Sequence, residues 1–172
     1  MKPNDLINII APKDCSKEQL DLFLSTVLNG GQINTSEELL IKSINNCLLL
    51  AFYEIENKIA GISAVKIPRA KYKKNVFEKA KVSADEKQFE FEIGYVVTIP
   101  EFRGRGVSSI LIKELIKRNP SATYFATTKS EFMPNIFKKV NFVKYGESYL
   151  NASHEKLDLY IYDKVKTQGK SS

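Results

Sequence analysis

At 172 residues the chain has the size of a single domain and is long enough to bury a core without disulfide or metal staples. Its 43% apolar and 27% charged residues exclude a disordered or fibrous chain, and no stretch approaches the roughly 18 apolar residues of a membrane span. A net charge of +6 fits an anionic partner, whether a phosphate-bearing ligand, a nucleic acid or an acidic protein, without choosing among them.

Leu6 to Ile10 is a short apolar run and a predicted first strand. Ser16 with Gln19 makes a capping box ahead of Leu20, Phe23, Leu24 and Leu28, and Gly30-Gly31 ends that helix. Thr35 with Glu38 repeats the capping signal before Leu39, Leu40 and Ile44. Cys47 to Glu54 and Ile59 to Ile67, joined by Glu56-Asn57-Lys58, read as a hairpin of buried strands. A basic block follows from Lys66 to Lys81, with Tyr72, Val76 and Phe77 at helical spacing.

Phe89 to Thr98 is the strongest strand signal, because Phe89, Phe91 and Ile93 alternate with Glu90, Glu92 and Gly94. Val107 to Arg118 is an amphipathic helix with Ile110, Leu111, Leu115 and Ile116 inward, closed by Asn119-Pro120. Tyr124 to Thr127 is a strand, Pro134 to Val140 a short helix, and Phe142 to Tyr145 and Leu157 to Tyr162 the last strands. Lys164 to Ser172 reads as a flexible tail. The order predicts a mixed α/β (α+β) sheet with helices on its faces, in one domain over residues 1–163.

Between that strongest strand and the amphipathic helix lies Pro100-Glu101-Phe102-Arg103-Gly104-Arg105-Gly106-Val107-Ser108. Two glycines let the backbone curl with its N–H groups converging, and the helix start adds unpaired N–H groups and a partial positive charge. Together these make a phosphate or diphosphate site, with Arg103 and Arg105 as mobile charge beside it. No Gly-Lys-Ser/Thr closes the turn, so it is not a P-loop, and the third glycine of a dinucleotide fingerprint is missing.

The stretch Thr98 to Ser108 resembles the coenzyme A signature of the GNAT superfamily: Gln or Arg, two residues, Gly, one residue, then Gly or Ala. Arg103, Gly106 and Ser108 fill the fixed positions, Ser108 as a departure whose N–H rather than side chain would meet the diphosphate. Phe125 to Ser130 looks like the family's fifth strand and the polar residues after it, and Phe137 to Phe142 like its terminal segment. The resemblance implies a mostly antiparallel sheet of about seven strands flanked by about four helices. It also implies acetyl-CoA bound by Val96, Val97, Thr98, Arg103, Gly104, Arg105, Gly106, Val107, Ser108 and Ser130. Pantetheine would lie in a splay between the fourth and fifth strands, pairing with the backbone near Val96, Val97 and Thr98 as an added strand would.

Transfer of acetyl to an amine requires a base for the amine. Glu90 and Glu92 lie two apart on one strand and so share a face, and Glu92, in Glu-Ile-Gly-Tyr, is the preferred base. Phe137 stands where the family often has an acidic Tyr, and a phenyl ring has no proton to give. Tyr124, and after it Tyr95, is the candidate substitute. The lone His154 sits in a polar loop and reads as solvated, and no residue set spells a metal site. The acceptor is expected to be a primary amine of a small molecule, protein or peptide. A fold that binds acyl-CoA or a partner without turnover is the first alternative, and a tRNA-acetylating toxin using the basic block is the second. Cys15 and Cys47 have no metal or redox spacing, and the opening residues hold too short an apolar run for a secretory signal. The expectation is a cytoplasmic monomer or homodimer that does not engage membranes.

Overall fold

A computed structural model of the chain describes residues 5–30, 35–83 and 86–164. Most of the predicted tail lies outside them. They form five α-helices and eight strands in two compact units.

The first unit holds the described residues up to Ile67, together with Ile93–Asn119. β1 (Asp5–Ile10) pairs antiparallel with β2 (Cys47–Ile55), and β2 with β3 (Lys58–Lys66), which neighbours β4 (Phe91–Thr98). The β2–β3 turn places Glu56 and Asn57 at φ 53° and 61°, the two left-handed residues of a tight hairpin. α1 (Lys17–Asn29) starts with the expected capping box, Gln19 N–H donating to Ser16 Oγ and Ser16 N–H to Gln19 Oε1. α2 (Glu37–Asn45) is capped one residue later than its sequence signal: Ser36, not Thr35, accepts the Leu39 N–H. Both helices bury Phe23, Val27, Leu40 and Ile44 against Leu50, Phe52, Ile62 and Ala64, the even-numbered face of the hairpin. α4 (Val107–Arg118) packs against β3 and β2. Leu111, Ile112 and Leu115 are fully buried; Ile112 takes the place expected of Ile110, which is half-buried. β2 and β3 are covered on both faces, which explains their unbroken apolar runs.

The second unit holds Pro68–Glu92 and the described residues from Pro120 onward. The basic block does form a helix, α3 (Ala70–Lys79), the fifth helix beyond the four expected. Phe91 and Glu92 pair in parallel with Tyr124 and Phe125 of β5 (Tyr124–Thr128). β5 and β6 (Phe142–Lys144) each pair antiparallel with β8 (Lys156–Tyr162), and so does β7 (Tyr149–Leu150), a two-residue strand too short to read from sequence. Val76 and Phe77 of α3, with Ala80 just after it, pack on Phe125, Tyr149 and Leu159. On alternate strand positions, α5 (Met133–Lys139) places Phe137 in an aromatic stack, 4.8 Å from Tyr160 and 5.2 Å from Phe142 between ring centroids.

Candidate active site

β4 leaves its sheet under control of β3. Ile99 N–H donates to the Ala60 carbonyl at 2.9 Å, and the short 3-10 turn Pro100–Phe102 buries Phe102. Gly104 and Gly106 then both take φ +79°, in the left-handed region glycine favours. Gly106 is the N-cap of α4, and no side chain caps that helix start. A Cβ built on Gly104 or Gly106 would meet nothing within 4 Å, so the space before the turn is open. Arg103 and Arg105 are exposed, with the Arg105 guanidinium 5.2 Å over the Phe102 ring. The Ser108 hydroxyl lies 2.7 Å from Thr98 Oγ1, tying the second residue of α4 to the last of β4. This bond gives the hydroxyl a partner within the protein.

The strand feeding this turn is shaped from both sides. Gly61 of β3 permits a close approach: a Cβ there would stand 2.6 Å from the Val97 carbonyl oxygen and 2.7 Å from Val107 Cγ1. Tyr95 holds φ +51° inside β4, an irregularity that re-aims the residues after it. Three contacts hold it there. Its hydroxyl donates to Ser43 Oγ at 2.7 Å, its ring meets Phe23 edge-on at 6.1 Å, and the Lys66 ammonium lies 5.1 Å from the ring centre. Val96, Val97 and Thr98 beyond it are half-buried.

In the second unit Glu92, at the start of β4, is 3% exposed. A carboxylate buried this far requires hydrogen bonds. Its Oε1 accepts from the Tyr72 hydroxyl at 2.8 Å and from Thr127 Oγ1 at 3.3 Å, and those two hydroxyls are 3.3 Å apart. Burial, and after it the charge of Glu92, pushes the Tyr72 phenol well above its ordinary value. Tyr149 is 8% exposed, its hydroxyl has no hydrogen-bond partner among the described residues, and burial followed by the Glu92 charge pushes its phenol up too.

Glu90 does not share this environment. The Glu90 and Phe91 N–H groups both donate to the Thr123 carbonyl at 3.1 Å, two residues against one in the manner of a bulge. That extra residue breaks the expected alternation. Glu90 is exposed and accepts the Thr123 N–H, while Phe91 is only half-buried. Tyr124 is 1% exposed, with ring neighbours Phe91 at 6.1 Å and Tyr162 at 6.3 Å; burial, then Glu90, pushes its phenol up to about 12. The Ser130 hydroxyl accepts the Phe132 N–H at 3.2 Å, closing its own turn, and His154 is exposed. Sequence reading missed Tyr72, Thr127 and Tyr149. Tyr72 registered only as part of an apolar helical stripe, Thr127 as a polar strand end, and Tyr149 lay in no predicted element.

The basic block is largely engaged within its own unit. Lys73 donates to the Phe89 carbonyl and Lys79 to that of Leu150, while Lys74 pairs with Glu78 and Lys81 with Glu147. Among the described residues no helix is long and apolar enough to cross a membrane.

A strand thus leads into an uncapped glycine turn at a helix start, an arrangement whose free N–H groups and partial positive charge suit an anion. The model of the acetyltransferase (GNAT) family matches residues 19–133, and the chain belongs to that family. No curated protein sequence matches it. Among solved structures, a GNAT-family acetyltransferase from Streptococcus agalactiae is similar at TM-score 0.65 and 15% identity, covering 91% of this chain and 96% of the other. NAA60 from Arabidopsis thaliana, solved in complex with acetyl-CoA, is similar at TM-score 0.64 and 17% identity, covering 92% and 97%. Escherichia coli ElaA is similar at TM-score 0.64 and 11% identity, covering 92% and 99%. These likenesses show a mixed α/β GNAT fold, with eight strands and five helices where about seven and four were expected.

Proposed function

We propose that the chain is an N-acetyltransferase that moves the acetyl group of acetyl-CoA onto a primary amine of a small molecule, protein or peptide. The observation that carries this reading is the open, uncapped start of α4 behind Gly104 and Gly106. The family match, which takes in residues of both units, supports one catalytic domain.

The residues present fit the coenzyme. Backbone N–H groups of Gly104 and of Gly106 to Ser108 would hold its diphosphate at the helix start, where the partial positive charge favours anions, while the Arg105 N–H is given to the Phe102 carbonyl. Arg103 and Arg105 add positive charge, and the backbone of Val96, Val97 and Thr98 receives the pantetheine arm as an added strand. Ser130 is kept in this set from the family pattern. When bound, acetyl-CoA supplies an acetyl thioester, whose C–S bond breaks as the acceptor nitrogen bonds to the carbonyl carbon.

Glu92 is the base in this reading: it takes the proton that the amine must lose, directly or through a water. Glu90, exposed and bound to Thr123, is left as a strand-end contact. Tyr124 is assigned to the core on its enclosure. No side chain need protonate the departing sulfur, because a thiol with a pKa of about 8.5 is a competent leaving group as thiolate. Phe137 at the family's Tyr position is then no obstacle. Nucleic acid is not the favoured acceptor, and the lack of any metal or redox spacing around Cys15 and Cys47 fits a reducing cytoplasm.

The test is release of the coenzyme thiol from acetyl-CoA in the presence of unblocked peptides, lysine-bearing peptides and polyamines. Glu92→Gln is expected to lower turnover by about 10²-fold or more, the scale of general base catalysis, with acetyl-CoA affinity unchanged. Equal loss in both would make Glu92 a structural residue.

A further inference from the structure

We propose that Tyr72 is the positioning residue of the Glu92 carboxylate, holding the base in the orientation the reaction needs. This inference rests on Glu92 being the base. Tyr72 lies on α3, in the chain between β3 and β4. One helical turn on, Val76 and Phe77 are each 2% exposed and anchor that face of the helix in the core of the second unit. The Tyr72 residue itself is 38% exposed, so α3 does not need its ring to fill the core. Its hydroxyl nonetheless reaches Glu92 Oε1 at 2.8 Å, the shorter of the two bonds to that atom and well within the range of a charge-assisted hydrogen bond.

A glutamate's last torsion is soft and has no single preferred well. Binding one carboxylate oxygen therefore sets the direction of the other. Thr127 Oγ1, from β5, lies 3.3 Å from both the Tyr72 hydroxyl and Glu92 Oε1; with the Tyr72 hydrogen given to Glu92, the single Thr127 hydrogen goes to Glu92 Oε1 or to the Tyr72 oxygen, and either bond supports the Tyr72–Glu92 contact. Because burial and the Glu92 charge hold the Tyr72 phenol well above 10, it stays protonated and remains a donor throughout the working range. Tyr72 thus acts through Glu92 and does not itself meet the reacting atoms.

The test uses the full chain with acetyl-CoA and whichever amine of the peptide and polyamine panel it turns over fastest. Tyr72→Phe removes one oxygen and is expected to lower kcat about 10-fold, with the KM for acetyl-CoA within about twofold of wild type. In a Glu92→Gln background the same substitution is expected to cause no further loss, since no base is left to orient. Tyr72→His keeps a ring N–H donor and should lose less than Tyr72→Phe; it carries the test if Tyr72→Phe does not fold. A wild-type chain inert toward every amine, or a fully active Glu92→Gln, overturns the base assignment and this inference with it. An impaired Glu92→Gln beside an unimpaired Tyr72→Phe overturns the inference alone. So does a Tyr72→Phe loss repeated at full size in the double variant, or equal losses from Phe and His.

Discussion

Gly61→Ala tests how the first unit shapes the coenzyme strand. The added Cβ would stand 2.6 Å from the Val97 carbonyl oxygen and 2.7 Å from Val107 Cγ1. The first contact is with backbone, so β4, β3 or α4 must shift. Overpacking of this kind costs about 1–3 kcal/mol. In chains of this size each kcal/mol lowers Tm by about 2–4 °C, giving an expected fall of about 2–12 °C. Val97 lies in the backbone assigned to pantetheine and Val107 opens α4, so acetyl-CoA affinity should fall about tenfold, which corresponds to about 1.4 kcal/mol. Gly94→Ala is the control. Its Cβ would also meet an atom at 2.6 Å, but that atom is Cδ of Lys66, a flexible side chain able to swing aside. Calorimetric melting and acetyl-CoA titration of both variants decide the matter. If Gly61→Ala melts and binds like Gly94→Ala, the close approach of β3 to Val97 does not shape the site.

Tyr149→Phe removes a buried hydroxyl that has no hydrogen-bond partner among the described residues, so Tm should rise, by about 2 °C or more; an unchanged or lower Tm would show that the hydroxyl is satisfied. Ser108→Ala deletes the bond to Thr98 Oγ1, worth about 0.5–1.5 kcal/mol, but leaves the N–H assigned to the diphosphate. Melting should drop while acetyl-CoA affinity stays within about twofold, and a tenfold loss would give the side chain a direct role. Burial raises the Asp158 carboxyl, but bonds from Lys144 and Ser148 outweigh it and hold the group below its usual value of 3.8. A lowered folded pKa gives stability that is present above the ordinary value and lost as pH falls through the folded one. Lys144→Met should therefore melt below wild type at about pH 6, and the gap should be smaller at about pH 3. A gap of the same size at both pH values would locate the effect elsewhere.

Most of the fold was legible in the sequence because local signals agreed with the final packing. The Ser16–Gln19 box, the Glu56-Asn57 turn and the Val107–Arg118 stripe each mark their element without tertiary help. Two kinds of feature were not legible. One is local irregularity of the strand backbone. The Phe89–Gly94 alternation predicts a shared face for Glu90 and Glu92, but two N–H groups converge on the Thr123 carbonyl and separate them. The left-handed Tyr95 is likewise invisible in a run of strand formers. The other is contact over long sequence separation. Tyr72 meets Glu92 across 20 residues and Thr127 across 55, and no spacing rule brings such groups together. The glycine turn was readable because its chemistry is local, from Arg103 to Ser108.

Isothermal titration of acetyl-CoA into wild type and Gly106→Trp bears most directly on the claim that the backbone before α4 holds the coenzyme. Nothing lies within 4 Å of the Cβ position at Gly106, so the indole has room to enter the open space before the turn. The fold loses only the strain of a left-handed residue, about 1–2 kcal/mol. Wild type is expected to bind in the micromolar range and a folded Gly106→Trp not at all. Unchanged affinity in the folded variant would contradict that claim.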